Sequence, residues 1–174
     1  PSMLVRFTKN PASAPADILH CVRPDGTTTQ GPMPRQGILP HDAFHFVVES
    51  TLGWRDAFFG RLARGAAHDR LTALLHGEKI DRVKPAQALQ SEALIACLQA
   101  NQWGGASDPA TFAETLIAAC RRRGVPPPDI DADELTSTCK MCDEHGRDVK
   151  LFQETQPGAV ASRLTPSLVA ALAL

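Results

Sequence analysis

The segment PHDAFHFVVESTL at residues 40–52 decides the fold, because the hydrophobic spacing of the chain changes there. Before it, apolar and polar residues alternate, as in a half-buried strand. Along it, Phe44, Val47 and Thr51 recur at steps of three and four, as on one face of a helix. Pro40 suits a helix start, because the first turn does not need the N–H group that proline lacks. We therefore predict a chain that begins as a sheet and continues as helices.

Upstream of this segment, the sequence predicts a small antiparallel β-meander over about residues 4–30. Pro24, Asp25 and Gly26 form a turn between two runs of alternating residues, since proline presets one dihedral angle and glycine accepts a positive φ. The run from 31 to 34, with two prolines, should end the meander as a connector. The predicted strands cover residues 4–7, 18–23 and 27–30.

Downstream, helical spacing recurs in segments separated by glycine and proline, which predicts five to six helices over about residues 40–145. Asp108 before Pro109, and Asp131 three residues before Glu134, are typical helix starts. The predicted helices after the first cover about 54–62, 68–75, 85–104, 109–123 and 132–145, with a strand at 149–152 and a short helix at 167–174 to follow. The fold class is thus α+β, mainly α, in a single domain of residues 1–174.

The composition excludes several function classes. The 174 residues carry a formal net charge of -1, whereas a general nucleic-acid binder needs a positive surplus to displace counterions. No apolar run approaches the roughly 20 residues that span a bilayer. The five cysteines are an odd number, which favours reduced thiols and a cytoplasmic location over a disulfide framework. The expected partner is an unknown protein or small molecule, and a homo-oligomer is left open.

Three candidate metal ligands, His41, His45 and Glu49, lie at intervals of four residues on the first predicted helix. At about 100° per residue, they form a strip that drifts by about 40° per step along the edge of the apolar face. Two imidazoles one turn apart can reach one ion. His41 and Glu49 are about 12 Å apart along the axis, so the feasible pairs are His41 with His45 and His45 with Glu49.

Either pair needs a further ligand, and the nearest candidates in the sequence are His68, His76 and Asp42. The donor types fit a divalent metal such as zinc. In the alternative without a metal, His45 donates a hydrogen bond at the edge of the core and Glu49 is a solvated or ion-paired carboxylate. The zinc-protease arrangement is disfavoured, because it has a glutamate directly after the first histidine, where this chain has an aspartate.

The run from Leu39 to Glu49, followed by Leu52-Gly53-Trp54 and Phe58-Phe59-Gly60, resembles a group of small bacterial proteins of unknown function. Those proteins pair an N-terminal β-hairpin with a His-Asp-x-x-His-x-x-x-Glu helix. The resemblance covers about the first third of the chain and implies the layout but no activity. The His-Asp-x-x-His part is also similar to a motif of ubiquinone-biosynthesis proteins of the Coq type, in which the acidic partner lies farther along the chain.

A second candidate metal site consists of Cys139, Cys142 and His145. A structural zinc ion takes four ligands, and Cys21 or His20 would have to supply the fourth. A thioredoxin-like role would place the first cysteine at a helix N-terminus, whereas Cys139 falls inside a predicted helix. The alternative is a pair of thiols buried on a core face.

The sequence leaves two functional hypotheses open. In the first, the chain is a soluble domain that binds a protein or a small ligand, because helix packing explains most of the apolar pattern. In the second, it is a metal-dependent enzyme, hydrolytic in type, with a site on the helix that carries His41, His45 and Glu49.

Overall fold

The computed structural model describes residues 3–35, 40–76, 84–105 and 108–142. The predicted C-terminal strand at 149–152 and helix at 167–174 lie outside the described residues, as does His145. Within them the chain forms a three-stranded sheet followed by six helices, which confirms the predicted α+β, mainly α class. No described helix is long and apolar enough to cross a membrane.

The sheet is an antiparallel meander in the order β1-β2-β3. Strand β1 is Leu4–Thr8, β2 is Asp17–Val22 and β3 is Thr28–Met33. Burial alternates along β2, because successive side chains of a strand point to opposite faces of the sheet. The buried face carries Leu19 and Cys21 and packs against the helices.

Strand β3 continues through Pro32 to Met33, so the prediction that residues 31–34 form a connector is wrong for the first three of them. The reason is the position of β3 at the edge of the sheet, where a proline can be accommodated without breaking a central ladder. Pro32 pairs with Ile18, and Met33 returns into the core with 1% exposure. The longer strand brings Pro32 and Pro34 to the cavity described below.

Two of the helices begin at residues that the sequence marks as caps. The Asp108 side chain accepts hydrogen bonds from the N–H groups of Ala110 and Thr111, both at 3.1 Å. Asp131 and Glu134 bond to each other's backbone N–H at 2.8 and 3.1 Å, which confirms the predicted capping pair. The helices are α1 His41–Thr51, α2 Phe58–Ala63, α3 His68–His76, α4 Ala86–Gly104, α5 Pro109–Arg122 and α6, described over 132–142.

Helix α2 is shorter than the predicted helix at 54–62, because residues 54–57 form a non-helical connection. Gly53 has a φ of 63° and turns the chain after α1. The N–H groups of Phe58 and Phe59 then donate to the Glu49 side chain, so helix geometry starts only there. A distant carboxylate therefore sets this helix start, which the local apolar spacing does not reveal.

Helix α1 lies at the centre of the core, and every residue from 43 to 49 is buried. The Phe46 ring meets Phe7 of the sheet at 6.2 Å and Phe59 of α2 at 5.4 Å between centroids. Thr51 is exposed, so the assignment of Thr51 to the apolar face is wrong. His45 and Glu49 are buried, whereas the prediction placed them at the edge of the apolar face. The reason is that other elements cover α1 on several sides.

Arg23 connects the sheet to the helical layer. It is 9% exposed, and its guanidinium donates to the carbonyl oxygens of Leu62 at 2.6 Å and Ala66 at 2.7 Å. These charge-assisted bonds satisfy carbonyls at the end of α2 and just beyond it. They fix the connection between α2 and α3 over the sheet.

We expect Gly60→Ala to lower the free energy of unfolding by about 1–3 kcal/mol. A Cβ at Gly60 would overlap the backbone of Arg55, which cannot move without shifting the start of α2. Gly104→Ala is the matched control, because a Cβ there meets nothing within 4 Å and alanine favours helices. Urea denaturation measures both variants. Equal midpoints for Gly60→Ala and the wild type would contradict the close packing at Gly60.

Candidate metal centre

The predicted histidine pair converges on one point. His41 and His45 lie one turn apart on α1, and their Nε2 atoms are 3.2 Å from each other. Their rings are nearly perpendicular, at 76°, with centroids 4.8 Å apart. The Nε2 atoms of the two imidazoles therefore face the same small space between the rings.

Glu92 of helix α4 is the third member of the cluster. Its carboxylate oxygens lie 3.3 Å from His45 Nε2 and 3.5 Å from His41 Nε2. Helix α4 packs against α1, and this packing places Glu92 over the histidine pair. His41, His45 and Glu92 are the group of described residues whose ligand atoms all lie within 4.8 Å of one another.

Two of the ligand separations within the cluster match the size of a bound transition-metal ion. A tetrahedral zinc ion with bonds of about 2.0–2.1 Å separates its ligand atoms by roughly 3.3 Å. Here the two Nε2 atoms are 3.2 Å apart, one Glu92 oxygen is 3.3 Å from His45 Nε2, and the other Glu92 oxygen is 3.5 Å from His41 Nε2. With a single oxygen counted for Glu92, the three ligand atoms lie within 4.8 Å of one another. Two imidazoles and a carboxylate form a donor set found in catalytic zinc sites.

The predicted ligand Glu49 occupies a different place from Glu92. Its side chain is fully buried, and Oε1 is 2.9 Å from His45 Nδ1, on the far side of the imidazole from Nε2. The same carboxylate accepts bonds from Ser91 Oγ at 3.2 Å and from the N–H groups of Phe58 and Phe59 at 3.1 and 2.7 Å. Glu49 therefore positions the imidazole instead of joining the three ligand atoms, as carboxylates behind metal-bound histidines do.

His41 has a comparable partner behind its ring. The Gln99 side-chain oxygen accepts from Nδ1 of His41 at 3.3 Å. With a proton on Nδ1 in both imidazoles, both Nε2 atoms present lone pairs at 3.2 Å from each other. Two lone pairs at this distance repel each other unless a cation lies between them. The hydrogen bonds at the two Nδ1 atoms therefore favour binding of a metal ion or a proton at the Nε2 atoms.

The charges around the cluster shift its proton equilibria. Burial alone would lower the pKa of His45, but hydrogen bonds to Glu49 and Glu92 outweigh it and raise that pKa to about 10. Burial would raise the pKa of Glu92, but hydrogen bonds to His41 and His45 hold it well below its usual range. In the metal-free protein at neutral pH, the imidazole of His45 is therefore protonated and supplies the positive charge of the cluster.

A cavity of about 520 Å³ opens beside the cluster and includes all three of its members in its lining. His68 of α3 also lines it, held by Gly31, where any Cβ would overlap the imidazole ring. Asp42 lines it as well, and burial raises the pKa of its carboxyl despite the nearby histidines. His68 and Asp42, proposed above as further ligands, thus lie near the cluster but outside its three ligand atoms. The His76 side chain lies outside the described part of the structure.

The second candidate site is not assembled among the described residues. Cys139 and Cys142 lie on α6, where Cys142 is buried in the core and Cys139 is half-buried. Neither belongs to a group of ligand atoms that could hold a metal there, and neither do Cys21 and His20. None of the five cysteines forms a disulfide bond. His145, the third member of this candidate site, lies outside the described residues.

Comparison with protein-family models, curated proteins and solved structures gives no match. The resemblance to the group of small bacterial proteins therefore stays a prediction.

Sequence reasoning did not find Glu92, Ser91 or Gln99. The sequence feature that marks these three residues is that they are polar and lie on α4 among buried apolar residues such as Leu94 and Ile95. Glu92 and Gln99 are seven residues apart, and therefore lie on the same helix face two turns apart. That face is where α4 meets α1, but only the packing shows which helix it meets.

Proposed function

We propose that this protein is a metal-dependent enzyme of hydrolytic type. The proposed ligands are Nε2 of His41, Nε2 of His45 and the carboxylate of Glu92. The observation that carries the proposal is their convergence, with separations of 3.2–3.5 Å, on the wall of a cavity. Zinc is the proposed ion, since it binds imidazole and carboxylate together.

Three protein ligands leave a coordination position for water or substrate, as in catalytic zinc sites, whereas structural sites are closed by four. A zinc ion bound there would polarise a substrate carbonyl and lower the pKa of its water. Glu49 would keep the proton on Nδ1 of His45 and so direct Nε2 at the ion. His68, in the same cavity, is the side chain that would accept or return a proton during turnover.

The binding-module hypothesis stays a prediction alongside this one. It uses the same cavity, whose volume lies within the range of small-molecule sites. The metal content of the protein distinguishes the two, because a binding module has no need for an ion at the cluster.

We expect protein produced without a His tag to contain about one zinc ion per chain by elemental analysis. The His41→Ala/His45→Ala double variant, and Glu92→Ala separately, should lose it. The Cys139→Ala/Cys142→Ala double variant is the control that should keep it. Circular dichroism checks that each variant folds. If both cluster variants retained zinc and the cysteine double variant lost it, the zinc site would be on α6 and the proposal would be wrong.

A further inference from the structure

The described residues that line the cavity beside the cluster include three carboxylates. Asp42, Asp69 and Glu92 are on its wall, and no lysine or arginine from the described ranges lines it. Its other lining includes the Phe58 ring and two prolines. Sites for phosphate or carboxylate groups use arginine or lysine to match the negative charge. This cavity therefore disfavours an anionic ligand away from the metal.

Asp42 is available to a ligand. Its carboxylate is half-buried on the cavity wall and makes no hydrogen bond with the residues that the structure describes, although His41, His45 and His68 lie near it. Asp69 is exposed at the same cavity and, among the described residues, accepts a hydrogen bond only from the adjacent N–H of Arg70. A half-buried carboxylate that makes no hydrogen bond is stabilised when a cation binds beside it.

We propose that the substrate is a small molecule with an ammonium group, which Asp42 and Asp69 bind while a carbonyl group of the same molecule reaches the metal position. The proposal rests on the metal-dependent function above. The volume of about 520 Å³ suits a compact ligand in place of a polymer segment. The two ends of the substrate are thus recognised by different groups, the metal cluster at one end and two carboxylates at the other.

Three hydroxamates with the same two-methylene spacer test this inference on the cobalt-substituted protein. β-Alanine hydroxamate carries an ammonium group, butyrohydroxamate a methyl group and succinic acid monohydroxamate a carboxylate, at the same distance from the metal-binding end. The change in the cobalt absorption bands on titration gives each dissociation constant at pH 7. We expect the ammonium compound to bind at least about tenfold more tightly than the carboxylate compound, the neutral one lying between.

Asp42→Asn and Asp69→Asn should each reduce this preference while cobalt binding is retained. Asp56→Asn is the matched control, because Asp56 pairs with Arg61 and Arg64 away from the cavity. Equal affinities for the three compounds, or a preference for the carboxylate, would overturn the ammonium proposal and leave the metal site intact. Failure of the wild-type protein to bind cobalt at all would overturn the metal-dependent function and this inference with it. Asp69 is exposed, so its variant tests the inference even where Asp42→Asn fails to fold.

Discussion

Glu49→Ala should lower the free energy of unfolding by about 3–5 kcal/mol, the range for breaking a buried charged pair. The Glu49 carboxylate is fully buried and receives hydrogen bonds from three elements: α1 through His45, the start of α2 through Phe58 and Phe59, and α4 through Ser91. Alanine leaves the N–H groups of Phe58 and Phe59 buried without this acceptor. Urea denaturation with and without zinc measures the loss.

Glu49→Gln separates charge from shape. It keeps an acceptor oxygen for the N–H groups of α2, so we expect a smaller loss of stability than for alanine. Zinc affinity should still fall by about 10–100-fold, because the imidazole of His45 loses the carboxylate that orients it. Glu114→Ala, at an exposed position on α5, is the control. A Glu49→Gln variant with unchanged zinc affinity would show that Glu49 is structural only.

Zinc affinity should rise by about tenfold per pH unit between pH 6 and 8, in addition to any change from other groups. His45 has a pKa of about 10 in the metal-free fold, so it must lose a proton before Nε2 can bind an ion. Binding at pH 7.5 should therefore release about one proton per zinc ion from this residue. Calorimetry in buffers of different ionisation enthalpy counts the protons.

The sign of the corresponding stability change follows from the same shift. A raised pKa stabilises the fold fully below the unfolded value of about 6.5, and this contribution is lost as pH rises through about 10. Metal-free protein should thus lose stability from pH 6.5 to 10, while zinc-loaded protein should lose less. The groups facing His45 are His41, Glu49, Ser91 and Glu92. Glu49→Gln should reduce the proton release, and zinc binding without any release would contradict a protonated His45.

The sheet-then-helix layout was predictable because its signals are local. The turn at residues 24–26, the caps Asp108 and Asp131, and the change of apolar period near Pro40 each act through neighbours in the chain. The pairing of His41 with His45 was predictable for the same reason, since one helical turn fixes their distance.

The rest of the cluster depends on which helix covers α1. Glu92 lies 47 positions beyond His45, and no spacing rule connects two helices that meet only by packing. The same packing gives Glu49 its role, since Phe58, Phe59 and Ser91 surround its carboxylate and leave Nδ1 of His45 as its contact with the cluster. The sequence by itself determined the elements and the imidazole pair, through interactions within one helical turn or one hairpin. Only the tertiary structure decided which carboxylate faces the cavity and which supports it, because long-range burial assigns those roles.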